Sequence, residues 1–542
     1  MVEKKKKELL ALIDTMVKIV GFSDPRIDLD LENDFRMKVF ECPENDEALA
    51  EILPALVPKT AKEEPRINIA LDILSWLLEE LRIDMERGRK GAVERMERLQ
   101  EALARHVFRE DVDAQLCAAV GRILLESRVE VLPVIHDANS RRMFSFADGE
   151  SGSAPPEAAA IIVEALEGLD IRDPHEALGA IMDQTGLLEP AWQVAICGEM
   201  LAADSPLLRE TAALMLFHPR KDVRDGVARL LSQSGGERIS PDTLRRLIIA
   251  RNWFPPEIRG NLDTTINNAR RARVECAPLK GNTVHSVHAT TIDGAGAQSL
   301  WVSVGVKKHV DLCNILLKQG VGVIDTFIHR LPSVKAADRF MEGLPEMMCF
   351  AEVGMDYADR AMGSALADGI ERGATPHRGL LQIAELIGTD RWKAEPLDPE
   401  RELALLRGEM TPGSFAADEG IALEESAEWP GREDFADTWF EENEQVDRVF
   451  LDSMKGRGRK RANRGVADIL ALVMEPRREV WLKRLLLMTL WLKSSPTPPL
   501  PWRHMFFLAE ALASGRSMGD IPLMRSIAEL SLAVAEDRLG NC

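Results

Sequence analysis

Four residues between positions 285 and 313 have the side chains that bind zinc. Two residues lie between His285 and His288, and three between His309 and Cys313. Imidazole nitrogen and thiolate sulfur are the usual zinc donors. The stretch KKHVDLCNILLKQ around His309 and Cys313 reads as a helix, and an i, i+4 pair shares one helical face. His285 and His288 fall on an expected strand with an odd offset, so a regular pleat points them to opposite faces. Only a bulge would turn them together. The alternative reading leaves one His exposed, one at the sheet edge and Cys313 in a core.

Asp325 and His329 are an even offset apart, so one strand face would carry both. With Asp293 and Gln298 nearby they suggest acid–base chemistry, but no nucleophile accompanies them. No phosphate-binding loop, GxSxG elbow or HExxH helix occurs. Asp28, Asp30, Glu32 and Asp34 have the spacing of a calcium loop. The sixth position is Asn33 rather than Gly and the twelfth is Val39 rather than Glu, which removes it. No catalytic residue is assigned; whether the chain is an enzyme stays open, with the non-enzymatic reading favoured.

One basic run stands out in an acidic chain. Lys455, Arg457, Arg459, Lys460, Arg461 and Arg464 fall within ten residues, in a protein of net charge −20. Six cations so close together could neutralise several phosphates, which makes nucleic acid an alternative partner. The plain reading is a solvated hinge. A third is that the acidic stretch just upstream lies against the run and masks it.

The elements that must position these residues are mainly helical. Residues 1–138 read as an N-terminal helical region, with Asp111 or Asp113 as an N-cap for the helix that follows. Residues 139–157 are rich in Ser, Gly, Ala and Pro and read as a linker. Residues 276–345 change to Val, Thr, Ile and Trp. A hairpin from Thr283 to Val306 turns at Asp293-Gly294, and the order ββαβα makes a small inserted α+β module. Residues 346–395 return to helix. Residues 396–464 read as an acidic and then basic linker, and 465–542 as a C-terminal helical bundle. The basic apolar helix after Val466 is expected to form the core of that bundle with its cations in water.

Residues 158–275 carry a repeat. An apolar-Arg pair recurs just inside successive helices, at Leu208-Arg209, Val223-Arg224, Leu244-Arg245 and Ile258-Arg259. Alternate pairs are about 35 residues apart, the length of a two-helix unit. Each such unit buries its apolar face only against a neighbour, so units stack. Over about 185–270 the pattern resembles HEAT-type repeats. That resemblance implies an α-solenoid whose face, with Arg209, Arg224, Arg245 and Arg259 on it, binds a protein partner.

Composition agrees with a reducing compartment. The seven cysteines are dispersed with no CxxC, which fits reduced thiols. The N-terminal apolar stretch is interrupted by Glu8, Asp14 and Lys18, so it is not read as a signal peptide, and no stretch reads as a membrane span. The expectation is a cytoplasmic scaffold protein that binds a protein partner through the helical repeats and needs no cofactor. The second expectation is a nucleic-acid-associated protein using 455–464. The third is an enzyme or sensor, zinc-dependent or not, centred on 276–345.

Overall fold

In the computed structural model of the protein the described residues are 2–20, 39–40, 42–60, 63–144, 160, 163–164, 170–344, 349–410, 415–432, 436–454 and 459–539. They are mainly helical, with one five-stranded antiparallel sheet. No helix among them is long and apolar enough to cross a membrane. The chain divides into two compact units, Met1–Thr211 and Ala212–Cys542. The division falls inside the stretch 158–275. Helix Pro133–Phe144 takes in the start of the expected linker 139–157; the rest of that linker, and the segment Asp28–Asp34, lie outside the described residues.

The first unit is built from amphipathic helices whose apolar stripes meet. Leu49, Leu74, Leu77, Leu99, Leu103, Val120 and Leu124 are fully buried there. Asp113 caps helix Ala114–Glu126 by accepting from the amides of Gln115 and Leu116, at 2.8 and 3.0 Å. One ion pair is buried in this core. Arg95 donates to both carboxylate oxygens of Asp46, at 2.6 and 2.8 Å, and lies 4.6 Å over the Phe40 ring. Burial pushes the Asp46 carboxyl up while Arg95 pulls it down.

In the second unit, helices Lys221–Gln233, Pro241–Ala250 and Pro256–Arg271 come first. Two open on Pro at the first turn, where its missing N–H costs nothing. Lys221–Gln233 packs along Pro256–Arg271, and Asn268 Nδ2 donates to Ser232 O at 3.3 Å.

The sheet follows, with strands β1 Thr283–Thr290, β2 Ala297–Val306, β3 His309–Lys318, β4 Gly322–Leu331 and β5 Phe350–Glu352, in the order β4-β3-β2-β1-β5. The β1–β2 hairpin is as expected, and Asp293 closes its turn by accepting from the Ala297 amide at 2.7 Å. The expected order ββαβα is wrong at its third element. His309–Lys318 is a strand paired along its whole length with β2. Helix Val334–Gly343 lies on one face of β3 and helix Met355–Glu371 on the other. A strand covered on both faces is apolar on both, so its sequence loses the alternation that distinguishes strand from helix.

The acidic stretch is also not a linker. It forms helices Pro399–Gly408, Phe415–Glu425 and Glu444–Met454, with a 3-10 turn at Ser426–Gly431. Its tryptophans are its anchors: Trp429 and Trp439 are buried, and Trp439 Nε1 donates to Ile292 O at 2.7 Å. The carboxylates that suggested a linker mostly face outward among the described residues, while the aromatics supply the burial.

Among the described residues two carboxylates of this stretch go inward: Glu402, which pairs with Arg360 at 2.6 Å, and Glu441. Glu441 is buried, accepts from Trp481 Nε1 at 2.9 Å, and pairs with Arg477. Next to it, on helix Arg478–Ser494, Arg484 is 1% exposed. It was expected in water. Its guanidinium donates to Gly294 O at 2.8 Å and to Gln319 Oε1 at 3.2 Å, and lies 4.4 Å over the Trp481 ring. Gln319 Nε2 donates to Val480 O at 2.7 Å. Burial lowers the Arg484 pKa to about 10, with Glu441 acting in the other direction. Gly296 has φ +84°, and a Cβ there would sit 3.2 Å from Arg484 Nη2. The turn therefore needs glycine both for its backbone and for the arginine beside it.

Removing Arg484 would leave Gly294 O and Gln319 Oε1, in partly buried turns, without this donor and would open a cavity where the guanidinium lay. Arg484→Ala is expected to destabilise the second unit by about 3 kcal/mol or more, read as an earlier denaturant transition of that unit.

Candidate functional site

The four arginines of the repeat do not form a free surface. Arg209 Nη1 donates to the carbonyls of Ala203 and Asp204, at 2.7 and 2.8 Å. Arg224 Nη1 donates to His218 O at 3.1 Å and Pro219 O at 2.5 Å, and its Nη2 to Gly373 O at 3.0 Å. Arg259 Nε donates to Phe254 O at 2.7 Å. Each of the three reaches back five or six residues and binds carbonyls in the turn before its own helix. Guanidinium, with five donors in a fixed fork, suits that task. Arg245 differs: it pairs with Asp242 at 2.6 Å and with Glu385. At three of its four positions the repeat seen in sequence thus locks a turn, and at the fourth Arg245 is held in ion pairs.

His218 sits within one of these turns. It is buried, and its Nδ1 accepts from the Arg220 amide at 3.1 Å. Burial, with Arg220 and Arg224 close by, pushes its imidazole down to about 3.

The zinc quartet is dispersed. A bulge does fall at His285, between Val284 and Ser286, but the His285 ring lies against Gly305, where a Cβ would be 2.5 Å from Nε2. His288 packs on Phe350, centroids 5.5 Å apart. Because β3 is a strand, His309 and Cys313 are spread along it rather than stacked on a helical turn. His309 Nε2 is 3.2 Å from Asp311 Oδ1. Cys313 is fully buried, and burial pushes its thiol up to about 12. Among the described residues no three His, Cys, Asp or Glu side chains gather as a metal site.

The acid–base candidates also part. Asp293 caps its own turn, and Gln298 is buried, donating to Thr290 O at 2.7 Å and accepting from Tyr357 OH at 2.8 Å. Asp325 faces His377 instead of His329: His377 Nε2 is 3.7 Å from Asp325 Oδ1, and Nδ1 is 2.7 Å from Thr326 Oγ1. Thr326 is itself buried, and a Cβ on Gly379 would come within 2.3 Å of its hydroxyl. That hydroxyl has no room to meet a substrate, so the chain Asp325–His377–Thr326 acts as a strut.

In the basic run, Lys455 and Arg457 lie outside the described residues. Arg459, Lys460 and Arg461 begin helix Arg459–Asp468. Arg464 is exposed, 3.8 Å from Asp468.

What the sheet does bring together is a set of rings of which the sequence had pointed only to His329, and for another role. Register places Trp301 opposite Asn314, and Asn314 opposite Phe327, in one row across β2, β3 and β4. Helix Val334–Gly343, capped by Ser333, buries Ala337 and Met341 over this face. It leaves Phe340 at the margin. Trp301 meets Phe327 at 5.4 Å and Phe340 at 5.8 Å between centroids; His329 meets Phe327 at 5.2 Å and Phe340 at 5.4 Å. The four rings close a circuit. Trp301 is its buried floor, while Phe327 is 40% and Phe340 36% exposed, with Val334 alongside at 38%. Two donors on the floor, Trp301 Nε1 and Asn314 Nδ2, have no hydrogen-bond partner among the described residues. Rings of this kind contribute large contact area at low entropic cost and mark interaction surfaces when exposed together. The period-two pattern in VIDTFIHRL could have shown Phe327 and His329 on one face; no signal in it points to Phe340, which arrives from the next element.

Two outcomes follow for the arginine turns. Arg224→Ala and Arg259→Ala are each expected to cost about 1.5–3 kcal/mol, because charge-assisted bonds to carbonyls are lost, measured by denaturant unfolding. His218 binds a proton in the unfolded chain below about 6.5 but in the folded one only near 3. Stability should therefore fall as pH drops through that window, by up to ~1.4 kcal/mol per pH unit. In His218→Asn that part of the acid sensitivity should be missing from the unfolding midpoints.

Comparison with known proteins gives relatives without a described activity. Residues 400–536 match a family model described as the Y4lR C-terminal helical domain. Residues 189–273 match one described as the Y4lR second domain. The first match runs through the acidic stretch and the terminal helices together, in keeping with their folding as one region. The chain is similar to the uncharacterized protein y4lR of Sinorhizobium fredii, 25% identical over 371 residues, which is 66% of this chain and 68% of the relative. No solved structure matches.

Proposed function

We propose that the protein is a non-enzymatic interaction protein that binds a protein partner, and that the partner docks on the aromatic face of the sheet rather than on the arginines of the helical repeat. The observation that carries this reading is the exposure of Phe327, Phe340 and Val334 side by side around the buried Trp301. Exposed aromatics grouped in this way bury well against a partner and are the residue types enriched at interface centres. The arginines first expected to hold the partner are occupied within the fold, which moves the reading to the sheet.

The test uses tagged full-length chain expressed in its native host and purified with nuclease present. Wild type is compared with a Phe327→Ala, Phe340→Ala double variant whose thermal unfolding is checked in parallel. Both rings are over a third exposed, so the variant is expected to fold. A nuclease-resistant protein partner should be recovered with wild type and reduced by about tenfold or more with the variant, since hot-spot aromatics are worth ~2 kcal/mol or more. Equal recovery from both, or recovery only without nuclease, would overturn the reading.

A further inference from the structure

The aromatic face ends at an open sheet edge. β4 is one of the two edge strands and pairs with a single strand, β3. Its first half is covered on the outer side, where Val323 O accepts from the His377 amide at 3.3 Å. From Phe327 to Leu331 the backbone has no partner other than β3 among the described residues. In an antiparallel ladder alternate residues turn both N–H and C=O away from the neighbouring strand. This stretch therefore presents a short row of unpaired donors and acceptors. Phe327, His329 and Arg330 are exposed along it. Such an edge is a template for one more strand.

The surrounding charge says what kind of strand. The chain as a whole has a net charge of −20, yet between Gly305 and Phe340 six Lys and Arg stand against three Asp. Lys307 and Lys308 form the exposed β2–β3 turn, beyond the end where Val310 pairs with Leu331. Arg330 extends from the edge, its side chain 74% exposed and its Nε 3.4 Å from Asp311. Lys335 and Arg339 follow on the exposed side of helix Val334–Gly343. One of the three Asp, Asp311, is buried and already engaged by His309 and Arg330. A second copy of the same edge would set these cations against each other. A nucleic acid would meet the cations and rings but could not extend the backbone ladder.

Resting on the interaction-protein reading, we propose that the partner supplies an extended acidic segment that adds to the Phe327–Leu331 edge of β4 as a sixth strand. Its main chain completes the ladder. Alternate apolar side chains lie over Phe327, His329 and Phe340; the carboxylates between them turn to the opposite face, where Arg330 stands, and Lys307, Lys308, Lys335 and Arg339 add positive charge around the site. Backbone pairing gives such complexes affinity, and the alternate side chains and their charge give selectivity.

The probe is a fluorescently labelled peptide, Asp-Val-Glu-Phe-Asp-Val-Glu-Val, titrated against the full-length chain by anisotropy. Three controls accompany it: the same peptide N-methylated at alternate residues, the peptide with Lys at every acidic position, and an oligothymidine of similar length. The acidic peptide should bind. N-methylation, which removes edge donors while keeping charge and side chains, should weaken it by about tenfold or more, the equivalent of ~1.4 kcal/mol. The Lys peptide should bind as weakly, and an Arg330→Glu, Lys335→Glu variant should prefer it to the acidic one. Amide exchange in 326–331 should slow on binding.

Equal affinity of the N-methylated peptide would overturn strand addition. Equal affinity of the Lys peptide would overturn the acidic chemistry, and tighter binding of the oligothymidine would overturn a protein segment as the occupant. Absence of binding by the acidic peptide would also overturn the proposal. If that happens while the Phe327→Ala, Phe340→Ala variant still loses its native partner, the edge proposal falls and the interaction-protein reading stands; if the variant keeps its partner, both fall.

Discussion

A guanidinium taken wholly out of water is the constraint around which the second unit is arranged. Arg484 is 1% exposed, and a buried cation is tolerated only when its donors are satisfied and charge is balanced nearby. Its partners come from three separate parts of the chain: Gly294 O from the β1–β2 turn, Gln319 from the β3–β4 turn, and the Trp481 ring from its own helix. Glu441, from the acidic stretch, gives the opposite charge close by and is itself held by Arg477 and Trp481. Sheet, terminal helix and acidic stretch thus meet at one electrostatic centre. Dispersion alone would let these elements slide; a fork of directed bonds fixes their register.

That anchoring determines which sheet surfaces are available. The face bearing Cys313 and Gln298 is closed by helices, with Tyr357 bonded to Gln298 and Trp491 Nε1 donating to Ala289 O at 3.0 Å. Among the described residues the other face is covered by helix Val334–Gly343, which protects Leu312 and the floor of Trp301 and leaves Phe327 exposed. The asymmetry leaves aromatic rings and the outer edge of β4 open together. In the same unit the repeat arginines Arg224 and Arg259 are turned inward onto carbonyls. Charge that looked available on the helices is therefore internal, while Phe327 and Phe340 remain exposed on the sheet side.

Local rules determined a good deal by themselves. The amphipathic helices, the Pro openings at Pro241 and Pro256, the Asp113 cap and the β1–β2 hairpin with its Asp-Gly turn all depend on residues within a few positions of one another. Short-range propensity and periodicity suffice for these. The recurrence of apolar-Arg pairs was also legible, though not its purpose, because a carbonyl acceptor has no sequence signature.

Tertiary structure alone decided the rest, and in each case the reason is a partner distant in the chain. β3 was unreadable as a strand because helices on both faces removed its alternation. The acidic stretch folds because Trp439 reaches Ile292, 147 residues away. Arg484 is buried rather than solvated because the carbonyl of Gly294, 190 residues earlier, accepts a hydrogen bond from it. The candidate site shares this origin. Trp301, Phe327 and His329 lie on three strands' shared register and Phe340 on the following helix, so composition shows the rings but only the sheet makes them neighbours.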